Sequence, residues 1–428
     1  MESKHVEIAG WANYPRVTTQ LFEPASREEL QELIPSLERF ITRGNGKSYG
    51  DASLAPVTVS TLRLNNILEF DAETGVIHCE SGVLLSDILP LIIPAGWFFR
   101  VTPGLKAITV GGAIASDVHG KNHPTAGCFS NCLLSFELLT ADGAIRQCSR
   151  EENAELFWQS CGGMGWTGVI LSARFRLMKI SSTRMRQKTV RATHLDALFD
   201  AFYQHAHWPY AAAWIDCSHS AWRGAAFFGA HSDHSGALTN DKRRTLQIPA
   251  YAPNWLLNRW SIGAYNALYF LKNRDADRAV GLDAFFYPLD ALGNWNRLYG
   301  RRGLVQYQFC MPEENARPAI REVLQTIRRS GETPFLTVLK RHGERPPEAI
   351  HSFPVRGFSL ALDFPRTKGI FELVKQLDEV VWAAGGKIYL TKDACSHPKM
   401  GRVDPGAFGD DKFSSLLKAR ISTRVARD

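Results

Sequence analysis

A chain of 428 residues exceeds what one ordinary hydrophobic core organises, so two domains are expected. Hydrophobic residues at 45% and charged residues at 22% describe a soluble globular protein. The net charge of +7 is mild for this length; it permits an acidic ligand or an anionic membrane surface, and no nucleic-acid partner is expected.

In chain order, the opening stretch MESKHVEIAGWANYPRV mixes charged and polar residues without an apolar signal core, which makes the cytoplasm the expected location. The strand-like LERFIT leads into RGNGKSYGD (43–51). Its glycines let consecutive backbone N–H groups converge on phosphate oxygens, and Arg43, Lys47 and Ser48 can add donors. The G-x-G-x3-G spacing is one residue too long for the Rossmann fingerprint, and an ordinary polar loop is the plain alternative. TVSTLRL (58–64) reads as a strand, and ILEFDAETGVIHCES as a hairpin around Asp71 to Gly75. The most apolar run (83–101) contains Asp87, Pro90, Pro94 and Arg100 and is a poor membrane span.

Residues 102–131, TPGLKAITVGGAIASDVHGKNHPTAGCFSN, combine turn signals at Pro103-Gly104 and Gly120 with a small-residue patch at Gly111, Gly112, Ala113 and Ala115. Removing side-chain bulk lets backbone approach a flat ring or a pyrophosphate. His119, His123, Cys128 and Cys132 also raise a zinc site, although structural zinc sites pair tight ligand knuckles across a longer interval. SFELLTADGAIRQCS forms a second hairpin around Asp142-Gly143, and NAELFWQSC (153–161) a short helix. GGMGWTG (162–168) contains G-x-G-x-x-G, but a helix precedes it and the strand VILSARFRL follows, the reverse of the Rossmann context.

From residue 181 the pattern changes. Residues 181–300 show no clear period, with a linker near TNDKRRTLQIPAYAP. Then LVQYQFCMP, ARPAIREVLQTIRRSG, FLTVLKRHG, FSLALDFP, GIFELVKQLDEVVWAAGG and KIYLTKDA follow in the order strand, helix, strand, strand, helix, strand. That order suits an antiparallel sheet with both helices on one face. The final LLKARISTRVARD is a basic helix or tail, and the eight scattered cysteines suggest reduced thiols.

Taken in order, RGNGKSYGD, TPG…TVGGAIASDVHGKNHPTAGCFSN and ELFWQSCGGMGWTGVI resemble the FAD-binding half of the vanillyl-alcohol-oxidase, or PCMH-type, flavoprotein superfamily. AWID, FFYPLD, NWNRLYG, QYQF, LKRHG, LDFP and GGKIYLTKDA extend the resemblance over residues 40–394, interrupted between 220 and 280. It implies an α+β fold of two domains. Residues 1–180 would bind FAD, residues 181–390 would form a substrate domain on an antiparallel sheet covered by helices, and 391–428 would return to the FAD domain or form a basic tail.

The same resemblance implies non-covalent FAD. Its diphosphate would lie on Arg43, Gly44, Asn45, Gly46, Lys47, Ser48 and Tyr49. Its ring and ribityl chain would lie along Pro103, Gly104, Gly111, Gly112, Ala115, Ser116, Val118, His119, Gly120, Asn122, His123 and Gly127. Gly168 and Val169 would approach the adenine and Tyr389 the flavin, with no metal required. The reaction would be oxidation of a secondary hydroxyl of a sugar or sugar-like alcohol to a ketone, or a sugar-lactone or alditol oxidation. Lys392 matches the family's active-site lysine, as base or charge stabiliser, with His119 second. Trp214, Gln306, Gln308, Lys340, Ser359 and Ala361 would face the substrate. Members acting on a lipid-linked pentose carry cysteine, asparagine, tyrosine and phenylalanine where this chain has Ala361, Ser359, Phe286 and His342, so the substrate stays open. A reductase or epimerase partner for the product, and peripheral membrane contact, complete the expectations. Readings from other classes are a zinc-stabilised binding protein using the His/Cys set and a membrane- or polyanion-binding protein acting through the basic tail.

Overall fold

The computed structural model describes residues 2–232, 238–239, 245–396 and 410–422. Three larger sheets organise them. Ser3–Ala9 and Arg16–Phe22 pair antiparallel, and Arg16–Phe22 continues in parallel to Val57–Ser60 and Ile41–Arg43. A second, antiparallel sheet runs Ile67–Asp71, Val76–Glu80, Val169–Lys179, Leu133–Leu139, Ile145–Ser149, with Trp97–Phe99 on the far end of Val169–Lys179. Both expected hairpins are present, with Gly75 and Gly143 at positive φ. Helix Leu85–Ile92 turns Leu85, Ile88, Leu89 and Ile92 into this core, the i, i+3, i+4, i+7 spacing of one helical face.

The third sheet has eight antiparallel strands. Their order is Ala276–Gly281, Arg184–Ala192, Gly224–His231, Tyr210–Ile215, Leu336–His342, Gly357–Pro365, Leu304–Pro312, Lys387–Ile388. The predicted strand–helix–strand–strand–helix–strand unit is half of it. The stretch that showed no clear period supplies the other half, because strands such as YAAAWI are buried on both faces and so lack a polar alternation. Period-two alternation decides which side chains reach the site. Val305, Tyr307, Phe309, Phe358, Leu360, Leu362 and Phe364 join a core with helices Leu195–Gln204, Glu313–Ser330 and Ile370–Ala383. Gln306, Gln308, Ser359, Ala361, Asp363 and Lys340 occupy the opposite face and line a cleft.

Two expectations need correction, and one helix goes beyond them. TVSTLRL is a strand only to Ser60, where Thr61–Leu64 turns back through a Leu64 N to Thr61 O bond of 3.1 Å. KIYLTKDA leaves the sheet after Ile388 and closes a 3₁₀ turn, Leu390–Lys392. Helix Arg27–Ser36 was not anticipated, although its signal is plain. Ser26 caps Glu29 N, and the Glu29 carboxylate accepts from Ala25 N at 2.8 Å, one residue ahead of the cap.

At the far end, Phe413 packs edge-on against Phe40 at 5.2 Å, and helix Leu416–Ser422 buries Leu417 and Ile421 with Ile41 and Trp166. The parts of the linker stretch at 240–244 and of the terminal stretch at 397–409 and 423–428 lie outside the described residues. Among the described residues no helix is long and apolar enough to cross a membrane.

Candidate active site

A cavity of about 500 Å³ lies between the first two sheets and the polar face of the third. Residues 43–49 form one end. Among the described residues, none accepts from the backbone N–H groups of Gly44, Asn45, Gly46, Lys47 or Ser48, so the loop has unused donors at the cavity wall. The loop is held from behind: Arg43 Nη2 donates to Ala9 O at 2.6 Å, Asn45 Nδ2 to Ala107 O at 2.8 Å, and Lys47 Nζ sits 4.1 Å over the Trp11 ring. Gly46 has φ +57°, and a Cβ there would lie 2.1 Å from Arg43 Nη2. A Cβ on Gly50 would lie 1.5 Å from Asp393 O, because here the loop pairs directly with the Lys392 turn. Tyr49 N donates to Thr391 O and Asp51 N to Asp393 O, both at 3.2 Å. Leaving the sheet after Ile388 is therefore what carries Lys392 to the 43–51 loop.

The 116–132 segment forms a second wall around buried Asp117 (φ +38°). Its carboxylate accepts from Ser130 N at 2.9 Å, from Ser130 Oγ at 3.1 Å and from Ser352 Oγ of the third-sheet half. Burial raises its pKa against these bonds. Tyr389 Oη donates to Ser116 O at 3.0 Å. Gly111, Gly112, Ala115, Ser116, Val118, His119 and Gly120 line the cavity together with Pro103, Gly104, Gly168 and Tyr389.

Four expected residues lie outside the cavity wall. Asn122 donates to Arg100 O at 2.9 Å, His123 Nδ1 accepts from Gly343 N at 3.1 Å, Gly127 ends a short helix at φ +69°, and Val169 begins a core strand. Cys132 Sγ donates to Phe129 O at 3.0 Å, and burial pushes its thiol up to about 12. Among the described residues no group of three or more His, Cys, Asp or Glu is arranged to hold a metal ion.

The third-sheet face supplies the remaining wall. Cross-strand register sets Gln306 beside Asp363, Gln308 and Val338 on either side of Ala361, and Lys340 beside Ser359. Trp214 pairs with Val338 one strand further along. Lys392 Nζ lies 3.7 Å over the Tyr49 ring. Burial pulls the Lys392 ammonium below the lysine range, with Asp363 opposing and Lys340 assisting. Burial raises the Asp363 carboxyl, while the Gln306 amide donating to it and Lys392 work the other way. Burial lowers Lys340 to about 8.

His119 is buried, 3.5 Å from Gln308 Nε2, with Tyr389 and His342 packed at 5.3 and 5.1 Å. Burial first, then Lys340, His342, His123 and Lys392 hold its imidazole well below the usual range, which keeps it neutral. His342 Nε2 lies 2.6 Å from Ser359 Oγ, so two positions expected to differ from the pentose-acting members form a hydrogen-bonded pair.

Asp363, Asp117 and the Ser359–His342 pair were not anticipated as site features. Asp363 carried a signal, since it stands at the same strand parity as Ser359 and Ala361. The contacts of Asp117 and His342 span 235 and 17 residues and leave none.

A donor-lined loop facing a polar sheet across a cavity suits a dinucleotide-type cofactor outside the Rossmann class, and the chain comparisons agree. Residues 18–149 match the FAD binding domain family. The chain is 33% identical over 371 residues to decaprenylphosphoryl-beta-D-ribose oxidase of Mycolicibacterium smegmatis, covering 83% of this chain and 80% of that one. It is 30% identical over 177 residues to L-gulonolactone oxidase of Bos taurus, 40% of each chain. It is 29% identical over 143 residues to Delta(24)-sterol reductase of Rattus norvegicus. The chain belongs to the PCMH-type FAD-binding flavoproteins and is an FAD-dependent oxidoreductase. The free N–H groups at 44–48 and the small-residue wall at 111–115 fit that cofactor.

Proposed function

We propose that this flavoprotein oxidises a secondary hydroxyl of a sugar or sugar-like alcohol to a ketone, with the FAD held non-covalently. Bound FAD supplies the two-electron acceptor for the hydride leaving carbon. The observation that carries the reading is the position of Lys392, a lysine of lowered pKa held where the cofactor loop meets a wall of amide and hydroxyl groups. A neutral amine there accepts the proton of the substrate hydroxyl. Gln306, Gln308 and Ser359, the last oriented by His342, offer the donors and acceptors that a polyol needs. A sugar-ketone reading ranks above a lactone or alditol one because the relative named for a ribose derivative matches 83% of this chain, whereas the gulonolactone oxidase matches 40%. The test is anaerobic mixing with a panel of sugar alcohols. Bleaching of the flavin band by at least one of them is expected; bleaching by dithionite alone would overturn the proposal.

The FAD is expected to leave the polypeptide completely on acid or heat denaturation. His119 lines the cavity, so it is the residue to examine first if flavin remains attached to the chain.

Ala361 carries a second expectation. None of the eight cysteines lines the cavity, and Cys310, on the neighbouring strand, donates to Val355 O at 3.4 Å with its thiol pushed up to about 12 by burial. A nitroaromatic compound reduced at the flavin should therefore leave no covalent adduct, while Ala361→Cys should gain one. Intact-mass measurement after turnover decides; an adduct on the unmodified chain would refute this placement of Ala361.

A further inference from the structure

One surface of the third-sheet half is inverted in polarity. In helix Arg259–Lys272, Ile262, Asn266 and Phe270 face inward. Trp260, Leu268 and Leu271 stand 75%, 69% and 55% exposed, and Trp255, just ahead of the helix, 73%. Positions 260, 264, 268 and 271 follow the i, i+4 and i, i+3 spacing, so they form one outward stripe. A surface helix ordinarily turns polar residues outward. The charge is one-sided as well: residues 245–274 contain Arg259, Lys272 and Arg274 and no Asp or Glu. Arg259 lies 4.6 Å over the Trp260 ring, and Lys272 closes the helix. The same helix borders the active-site cavity, since Tyr265 and Tyr269, stacked at 5.9 Å, line it.

We propose that this helix docks the protein on an anionic membrane surface, with Trp255, Trp260, Leu268 and Leu271 entering the headgroup boundary and Arg259 and Lys272 meeting lipid phosphates. Exposed tryptophan and leucine flanked by cations with no acidic residue is the composition an anionic interface selects. A second copy of the chain is a poorer occupant, because a two-fold contact through this patch would set the basic stretch against itself. The terminal basic segment does not fill this role in the described residues. Lys418 is buried and Arg420 is bound to Asp51 and Asp393.

The experiment is co-sedimentation of the FAD-loaded enzyme with phosphatidylcholine vesicles, with and without phosphatidylglycerol. It needs no substrate, so its outcome is independent of the reaction proposed above. Binding to the anionic vesicles, weakening as salt rises, is expected. Trp260→Ser with Leu268→Ser, and separately Arg259→Gln with Lys272→Gln, should each lower the partition coefficient by about tenfold or more. Unchanged flavin absorbance and unfolding temperature show that these surface variants fold. No sedimentation with anionic vesicles, or sedimentation untouched by the Trp260/Leu268 pair, would overturn the proposal. A concentration-dependent dimer abolished by that same pair would overturn it too, and would assign the face to self-association.

Discussion

Lys392→Ala is expected to lower kcat/KM by about 10²–10⁴-fold while the protein retains most of its FAD, the range for a positioned base or charge stabiliser. Lys392 meets the 43–51 loop through the face of Tyr49, and the loop's backbone bonds to Thr391 O and Asp393 O do not depend on its side chain. Fold and cofactor should therefore survive the change. The pH profile gives a second readout. Burial favours the neutral amine, so the pKa of Lys392 falls below the ordinary lysine value near about 10.4. A base must be neutral to accept the proton, so kcat/KM rises with pH through that lowered pKa and levels above it. Lys392→Arg, which stays charged, should lose both the rise and the turnover. Near-normal turnover in the alanine variant would remove Lys392 from the reaction and leave His119 as the better candidate.

Arg420→Ala is expected to be the most destabilising single change at the site's periphery. Arg420 Nε and Nη2 donate to the Asp51 carboxylate at 3.0 and 3.1 Å, Nη2 also to Asp393 at 2.8 Å, and Nη1 to Ser396 O at 2.8 Å. The two carboxylates are 5% and 3% exposed. Burial pushes the Asp393 carboxyl up, but Arg420 and the Ser396 bonds outweigh it and hold it below the usual range. Removing the guanidinium leaves two buried negative charges facing each other without their counter-ion. Breaking a buried pair in this way costs about 3–5 kcal/mol, a large share of the about 5–15 kcal/mol that stabilises a domain. Asp51 ends the cofactor loop and Asp393 follows Lys392, so FAD retention should fall along with stability. Denaturant unfolding of the holoenzyme and its FAD content after gel filtration measure both; an unfolding midpoint within error of the parent would show that the bridge contributes nothing. Arg420→Lys should recover part of the loss, since an ammonium keeps the charge without spanning both carboxylates.

Much of this protein could be read locally. Both hairpins of the second sheet follow from their glycine turns, and helices Glu313–Ser330 and Ile370–Ala383 follow from apolar period. The cofactor loop could be read because its glycines and cations are contiguous, and the polar face of the sheet because Gln306 with Gln308, and Ser359 with Ala361, obey period two. The sequence by itself therefore determined the hairpins of the second sheet, the strand and helix order of residues 304–388, which loop offers donors to phosphate, and which faces of those strands are polar.

Only the tertiary structure decided how those pieces meet. Lys392 reads as a strand residue, yet it sits in a 3₁₀ turn, because pairing with residues 49–51 through two backbone bonds ends the ladder at Ile388. Asp117 holds its loop by accepting from Ser352, 235 residues away, and Arg420 joins Asp51 across 369 residues. Residues 259–272 show no clear period in the sequence, and only the fold shows a helix there with Trp260 and Leu268 turned outward. The division has a physical basis. Turn chemistry and hydrophobic period act within a few residues and leave a local signature, whereas the partner of a buried charge and the side of a helix that meets solvent are settled only when distant segments pack.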